Sequence, residues 1–280
     1  MRWLSSLFLA LGLGACKTSS TPTGAGLQDT PATPLKHLVI YYGWPSAING
    51  SKTLAEAAAA LDGYDVLVLG GGLEDPTHGD HRNTRRLIQG LRDRAEIFGY
   101  IPLGESTHLS EEDISSRVRK WEAMGVAGIF FDEAGYDYKT TRERQNMAFD
   151  LAHRAKLLAF ANAWDPDHLF DDSRVPVFNP RSRPTALRRG DCYLYESFGV
   201  RLDEPEEEAA RRIKLGKLAR ARSLGVRLFG ITTAKTPQFF DARAWKRVLA
   251  QATKGGLEGV GWGEYEFSAP DNRMPRREMR

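Results

Sequence analysis

From His37 onward, short apolar runs alternate with amphipathic stretches, eight times over about 230 residues. The apolar runs read as strands: Leu38–Trp44, Tyr64–Leu69, Ile97–Ile101, Gly128–Asp132, Leu157–Ala161, Cys192–Glu196, Arg227–Thr232 and Gly259–Gly263. They are apolar on both faces, as parallel strands covered by helices must be. The stretches between them read as helices. Lys52–Leu61 is alanine-rich, and His81–Arg94 carries Leu87, Ile88 and Leu91. Ser110–Met124 opens with a capping box, Ser110 to Asp113, and stacks Ile114, Val118 and Trp121 on one face. Thr140–Arg154 opens with Thr140 and Glu143 in the same arrangement. Glu206–Leu224 is long and basic in its second half, and Ala242–Thr253 groups Trp245, Val248, Leu249 and Ala252. The pattern predicts an α/β fold, a single-domain (β/α)8 TIM-type barrel over residues 36–268. The alternative is an open doubly wound sheet, which the lack of a G-x-G-x-x-G after the first strand weakens in its dinucleotide form. Asp165–Gly190 is long for a connection, and Val175–Phe178 within it reads as a ninth strand or a packed loop. Gly70-Gly71-Gly72 reads as a loose turn rather than a phosphate cradle.

Composition narrows the class. The 280 residues are 27% charged and 41% hydrophobic, with a mean hydropathy of −0.42. This excludes a polytopic membrane protein, a collagen-like chain and a wholly disordered one. Lys and Arg number 39 against 36 Asp and Glu, which is no dense basic face, so no nucleic-acid partner is expected. The first residues, MRWLSSLFLALGLGAC, have a positive start, an apolar run and small residues before Cys16, which is the pattern of a secretory signal. Leu13-Gly14-Ala15-Cys16 resembles a bacterial lipobox, which implies a signal peptide over 1–15, lipidation of Cys16 and a membrane partner through that anchor. The expected location is the bacterial cell envelope, and Lys17 in place of Asp favours the outer membrane where a host has two. Residues 16–35 are rich in Ser, Thr, Pro and Gly and read as a flexible tether, and 269–280 as a polar, basic tail. Cys192 is then the one remaining cysteine, and its apolar setting reads as a buried structural thiol.

In a barrel, the carboxyl ends of the strands converge on one mouth. Here those ends carry Tyr42 and Trp44, Glu105, Asp132 and Glu133, Asn162 and Trp164, Glu196, and Trp262 and Glu264, with Tyr136 shortly after strand four. Acids and aromatics recur, and no lysine appears among them. Carboxylates facing one cavity repel, so one proton is held more tightly, and an acid stands beside a base, as glycosidic cleavage requires. Flat rings offer sugars an apolar face, and carboxylates and Asn bond their hydroxyls. The catalytic candidates are Asp132, Glu196 and Glu133. The substrate-binding candidates are Tyr42, Trp44, Glu105, Tyr136, Asn162, Trp164, Trp262 and Glu264. Asp132 and Glu133 are adjacent, so within a strand they point to opposite faces, and at most one lies on the barrel axis unless the strand ends between them. His78, Asp80 and His81 match no metal-ligand spacing and read as a solvated loop. No metal or organic cofactor is called for, and the protein is read as a monomer.

The run Ile97–Glu105, a helix with Trp121, and then Gly125–Glu133 with its Phe-Phe-Asp-Glu, resemble the spherulin-4-like glycoside hydrolases. The Tyr-x-x-x-Gly-Glu of Tyr100–Glu105 is similar to the endo-α-1,4-polygalactosaminidase family. The resemblance implies a (β/α)8 barrel acting on a galactosamine- or N-acetylgalactosamine-containing exopolysaccharide, with its acids at Asp132, Glu133 and Glu196. It runs over about residues 95–200. It departs after strand five, where Asn162-Ala163-Trp164 stands in place of an Asn-Pro-Gly, while Asn179-Pro180-Arg181 follows later without the glycine. The competing expectation is a lipoprotein barrel that binds glycans without cutting them. A deacetylase would need a metal triad that the sequence does not display.

Overall fold

The computed structural model describes residues 34–274. Residues 1–15, read above as a signal, Cys16, nearly all of the stretch read as a tether, and residues 275–280 lie outside the described residues. The strands are β1 (Lys36–Tyr41), β2 (Val66–Leu69), β3 (Glu96–Pro102), β4 (Gly128–Asp132), β5 (Leu158–Asn162), β6 (Cys192–Glu196), β7 (Val200–Arg201), β8 (Glu204–Pro205), β9 (Arg227–Ile231) and β10 (Gly259–Gly261). The helices are α1 (Leu54–Leu61), α2 (His81–Leu91), α3 (Glu111–Met124), α4 (Arg142–Arg154), α5 (Asp167–Phe170), α6 (Glu208–Lys217), α7 (Ala219–Leu224) and α8 (Ala242–Lys254). Eight strands close into a barrel in the order β1-β10-β9-β6-β5-β4-β3-β2, every neighbouring pair parallel. This is the (β/α)8 fold that the alternation predicts, with all eight strands where the apolar runs lie. Among the described residues, no helix is long and apolar enough to cross a membrane.

Two apolar layers follow from strands that bury both faces. The barrel interior is filled by one set of alternate residues, among them Ile40, Val68, Phe98, Phe130, Phe160, Leu194 and Phe229. Phe160 meets Phe98 and Phe130 edge-on, each with ring centroids 5.2 Å apart. Cys192 belongs to this interior, and burial pushes its thiol up, as expected of a structural cysteine. The other set packs outward against the helices. Helix α3 shows the logic. Ser110 and Asp113 form the predicted capping box, Gly125 ends the helix at φ 88°, and the buried face is Ile114, Val118, Trp121 and Met124.

Trp121 lies flat over Gly99 of β3, where a Cβ would overlap the indole ring. The substitution Gly99→Ala is therefore expected to cost about 1–3 kcal/mol or more, as overpacked cores do. Chemical denaturation reads this as a lower midpoint at unchanged slope; an unaltered midpoint would show that the indole yields freely.

Several boundaries differ from the sequence reading. Helix α4 begins one residue later, with Thr141 rather than Thr140 accepting from the Arg144 amide. Thr140 is withdrawn from capping because its hydroxyl donates to Glu133 O at 2.7 Å. The single helix expected over Glu206–Leu224 is two, α6 and α7, broken at Leu218, whose side chain is fully buried. Val175–Phe178 is no ninth strand; one antiparallel bridge joins Val175 to Asn179. The long connection is held instead by Arg142, which is 1% exposed. Its guanidinium donates to Gln145 Oε1 and Arg183 O at 2.8 Å, and to the His168 and Asp171 carbonyls at 3.3 and 3.2 Å. At the amino end of the barrel, Arg227 binds Glu96 and Glu258, and Lys36 binds the same two acids.

Candidate active site

The carboxyl ends of β4, β5 and β6 meet around one amide. Asn162 ends β5, and its Nδ2 donates to Asp132 Oδ1 at 2.9 Å and to Glu196 Oε2 at 3.0 Å. Two such bonds to one nitrogen keep the two acceptor oxygens within about 6 Å of each other. Asp132 Oδ1 also accepts from the Glu133 amide at 2.8 Å. The Asp132 carboxyl is raised to about 6, first by burial and then by the charge of Glu196; hydrogen bonds from Asn162, the Glu133 amide and Tyr100 pull the other way. Burial, reinforced by Asp132, also holds the phenols of Tyr42 and Tyr100 above their usual range, so both stand beside the carboxyl as hydroxyls.

Each of the two carboxyl residues is followed by a left-handed one: Glu133 has φ 53° and Ser197 φ 62°. Non-glycine residues take this conformation at a cost of about 1–3 kcal/mol, and it clusters at functional sites. The turn after Asp132 resolves the question of facing, because the strand ends between the two acids. Both Asp132 and Glu133 line the same cavity, and Glu133 Oε2 accepts from Ser106 Oγ at 2.6 Å. Thr140 secures the Glu133 carbonyl, and Ser197 Oγ pairs with Thr233 Oγ1 at 2.8 Å.

This cavity has a volume of about 350 Å³, and Tyr42, Tyr138, Trp164 and Phe267 supply much of its apolar wall. It shares Trp164, Glu196, Ser197 and Arg201 with a second pocket of about 540 Å³ that reaches α6. Beyond Tyr42, a third pocket of about 460 Å³ is bounded by Gly71, Gly72, Tyr100 and Arg117. The glycine run is thus part of a pocket wall. Asn162 Oδ1 is buried without a hydrogen-bond partner among the described residues.

Of the sequence candidates, the structure brings together Asp132, Glu133, Glu196, Tyr42, Asn162 and Trp164. It does not bring the other five to this cavity. Trp44 is half-exposed and meets His78 edge-on at 5.3 Å. Glu105 is on the surface, paired with Lys139 at 2.7 Å. Tyr136 is stacked between His168 and Phe178 at 4.6 and 4.9 Å. Trp262 lies beyond the end of β10, is buried, and donates its indole N–H to Phe239 O at 2.8 Å while packing on Trp245 of α8. Glu264 accepts from the Gln238 amide at 3.2 Å, and burial raises its carboxyl. Asp80, read as part of a solvated loop, is 1% exposed and accepts from the amide and hydroxyl of Ser46. His81 contacts Leu73 O at 2.8 Å. No group of three His, Cys, Asp or Glu side chains placed to hold a metal occurs among the described residues.

The sequence reading missed Tyr100, Tyr138 and Arg201. Tyr100 had a signal, since it alternates with Phe98 along β3 and faces Phe130 in register. Tyr138 and Arg201 had none, because a 3-10 turn and a two-residue strand place them.

No protein-family model matches the chain, and no curated protein does. Among solved structures, it is similar to the carboxyl transferase domain of Rhizobium etli pyruvate carboxylase, at 12% identity and a TM-score of 0.50, over 81% of this chain and 39% of that one. It is also similar to 2,3-dimethylmalate lyase, a PEP mutase/isocitrate lyase superfamily member, at 14% identity and 0.47, over 83% and 76%. A third is deoxyribose phosphate aldolase from Aeropyrum pernix, at 16% and 0.45, over 82% and 85%. The chain spans well under half of the carboxyl transferase structure's length. These are a transferase, a lyase and an aldolase, all enzymes and none a glycoside hydrolase. At such identities the likeness is one of fold.

Proposed function

We propose that the protein is a glycoside hydrolase that cleaves an amino-sugar exopolysaccharide with Asp132 and Glu196 as its carboxyl pair. The observation that carries this reading is the Asn162 amide shared between the two acids. It holds them at one spacing in one cavity, and it leaves them in different environments. Asp132, raised to about 6, supplies the proton to the departing glycosidic oxygen. Glu196 attacks the anomeric carbon. A separation within about 6 Å lies nearer the ~5–5.5 Å of double-displacement enzymes than the ~6.5–9.5 Å that leaves room for a water. A glycosyl ester on Glu196 would then be hydrolysed by a water that Asp132, now ionised, deprotonates. Tyr42 and Tyr138 offer ring faces and hydroxyls to the sugar. No metal or organic cofactor enters this scheme. The amino-sugar substrate rests on the family resemblance, and attachment to the cell envelope on the lipobox.

The test is release of reducing ends from purified amino-sugar polymers by the purified protein. Polymer that is bound but never cut would leave a glycan-binding lipoprotein. A pH dependence follows from the same geometry. The reaction needs Asp132 protonated, and its folded-state value is raised, so kcat/KM is expected to decline as pH rises through about 6. A rate that climbs from pH 6 to 8 would assign the proton to another group.

A further inference from the structure

One buried cation beside the carboxyl pair has no part in the scheme above. Lys214 of α6 has its Nζ buried without a hydrogen-bond partner among the described residues. The nitrogen lies between two rings, 4.4 Å from the Trp164 centroid and 4.2 Å from that of Tyr195, the residue before Glu196. Lys217, one turn further along α6, is instead bound by Asp165 and Asp167 at 2.8 and 2.7 Å. An ammonium taken out of water is costly unless something compensates it, and such groups gather at functional sites. Burial lowers Lys214 to about 8, against the pull of the Glu196, Glu206 and Asp165 carboxylates, so the ammonium form dominates at pH 7.

The pocket of about 540 Å³ around Lys214 carries charges of both signs, and most of them have other partners. Asp165, after β5, is bound by Lys217. Glu206 accepts from the Tyr195 hydroxyl and the Gly199 amide. Glu204 and Glu207 are exposed, where water and salt screen them. Arg201 is exposed as well, its guanidinium 4.7 Å from the Trp164 ring, and Arg211 of α6 acts on the Tyr195 phenol. Glu196 forms no salt bridge among the described residues; its Oε2 accepts from Asn162 at 3.0 Å. Of the charges acting on Lys214, that of Glu196 is the strongest. On its cavity side Glu196 faces Asp132, Glu133 and Asp137, with the Tyr42, Tyr138 and Tyr193 phenols close enough to feel its charge. Two carboxyls at such a spacing share one proton, and which of them holds it depends on a difference between their surroundings. Lys214 supplies one, since it lies on the Glu196 side and is not among the groups that act on Asp132.

Resting on the hydrolase reading above, we infer that Lys214 is a positioning residue whose buried ammonium keeps Glu196 ionised and leaves the shared proton on Asp132. The experiment follows reducing-end release from a purified galactosamine-containing exopolysaccharide against pH, for the wild type, Lys214→Met, Lys214→Gln and Lys214→Arg, with melting curves identifying the variants that fold. The wild-type kcat/KM is bounded on the acid side by ionisation of Glu196 and on the alkaline side by Asp132, at about 6. Lys214→Met keeps a chain between the two rings and removes the charge. It is expected to move the acid limb up by about 1 pH unit or more, the scale set by a neighbouring opposite charge, and to leave the alkaline limb in place. At a pH on the acid limb this is about a tenfold loss of rate. Lys214→Gln, the second neutral form, is expected to do the same, and Lys214→Arg to keep the wild-type limb. A residue that only supports the fold would lower the rate evenly across pH. An acid limb unmoved in the neutral variants, or moved equally by Lys214→Arg, overturns the inference and leaves the hydrolase reading standing. No release by the wild type overturns both.

Discussion

Asp132→Asn and Glu196→Gln are each expected to reduce hydrolysis by about 10³-fold or more, the scale on which a general acid or a nucleophile acts. The double variant should be little worse than either single one, because the two groups act in one step and their losses are not additive. What separates a catalytic role for Asp132 from a structural one is the effect on stability. Its folded value is raised to about 6 above an unfolded value near 4. Below about pH 4 the group is protonated in both states and costs nothing; as pH rises through 6, the folded state must hold a buried charge beside Glu196. Asp132→Asn removes that cost, so at pH 7 it is expected to stabilise the protein by about 1–3 kcal/mol while abolishing turnover. Thermal unfolding at pH 4 and pH 7 checks this: the gain should be present at pH 7 and largely absent at pH 4. A variant that loses activity and stability together would mark Asp132 as a structural partner of Asn162.

The second large effect lies away from the cavity. Arg142→Met is expected to destabilise the fold by about 3 kcal/mol, since it removes a buried guanidinium that bonds four acceptors and leaves two of them unpaired. The Asp171 carbonyl and the amide oxygen of Gln145 lose their donor, and the His168 and Arg183 carbonyls lose one of two, keeping Gln145 Nε2 and Asn179 Nδ2. Those carbonyls belong to the connection between β5 and β6, so the loss should appear first as protease cleavage within residues 165–190. A variant with wild-type melting and an uncut loop would show that the carbonyls find other donors.

The barrel itself was legible because strands buried on both faces must be apolar throughout, which no other element of this length requires. The three acids and Asn162 were legible for a related reason: a charged or amide side chain at the end of such a run has nowhere to go but the mouth. Trp262 and Glu264 obey the same rule in sequence and break it in space, because β10 ends at Gly261 and Trp262 packs against Phe239 and Trp245 among the helices. Register alone does not say which way the chain turns after its last ladder residue. The left-handed turn at Glu133 was equally hidden, since the Thr140 and Ser106 hydroxyls that bond this residue come from other parts of the chain. Arg142 gave no sequence signal, as an arginine in a first helical turn ordinarily faces water.

The four-member charge network at the amino end of the barrel bears on how the molecule comes apart. Strands β1 and β10 are paired only at Lys36 opposite Gly259 and at His37 opposite Val260, whereas β3 and β4 are paired from Phe98–Gly128 to Pro102–Asp132. The short seam is reinforced by Lys36, Glu96, Arg227 and Glu258, which tie together β1, β3, β9 and the residue before β10. Screening by salt weakens ties of this kind. Opening at high ionic strength is therefore expected to begin where first and last strands meet, and hydrogen exchange of the β1 and β10 amides, rising with salt ahead of those of β3 and β4, is the measurement that checks it. Strand β5, with the amide of Asn162, stands diametrically across the barrel from β1. Such opening would leave the strands that carry the carboxyl pair on the far side of the barrel.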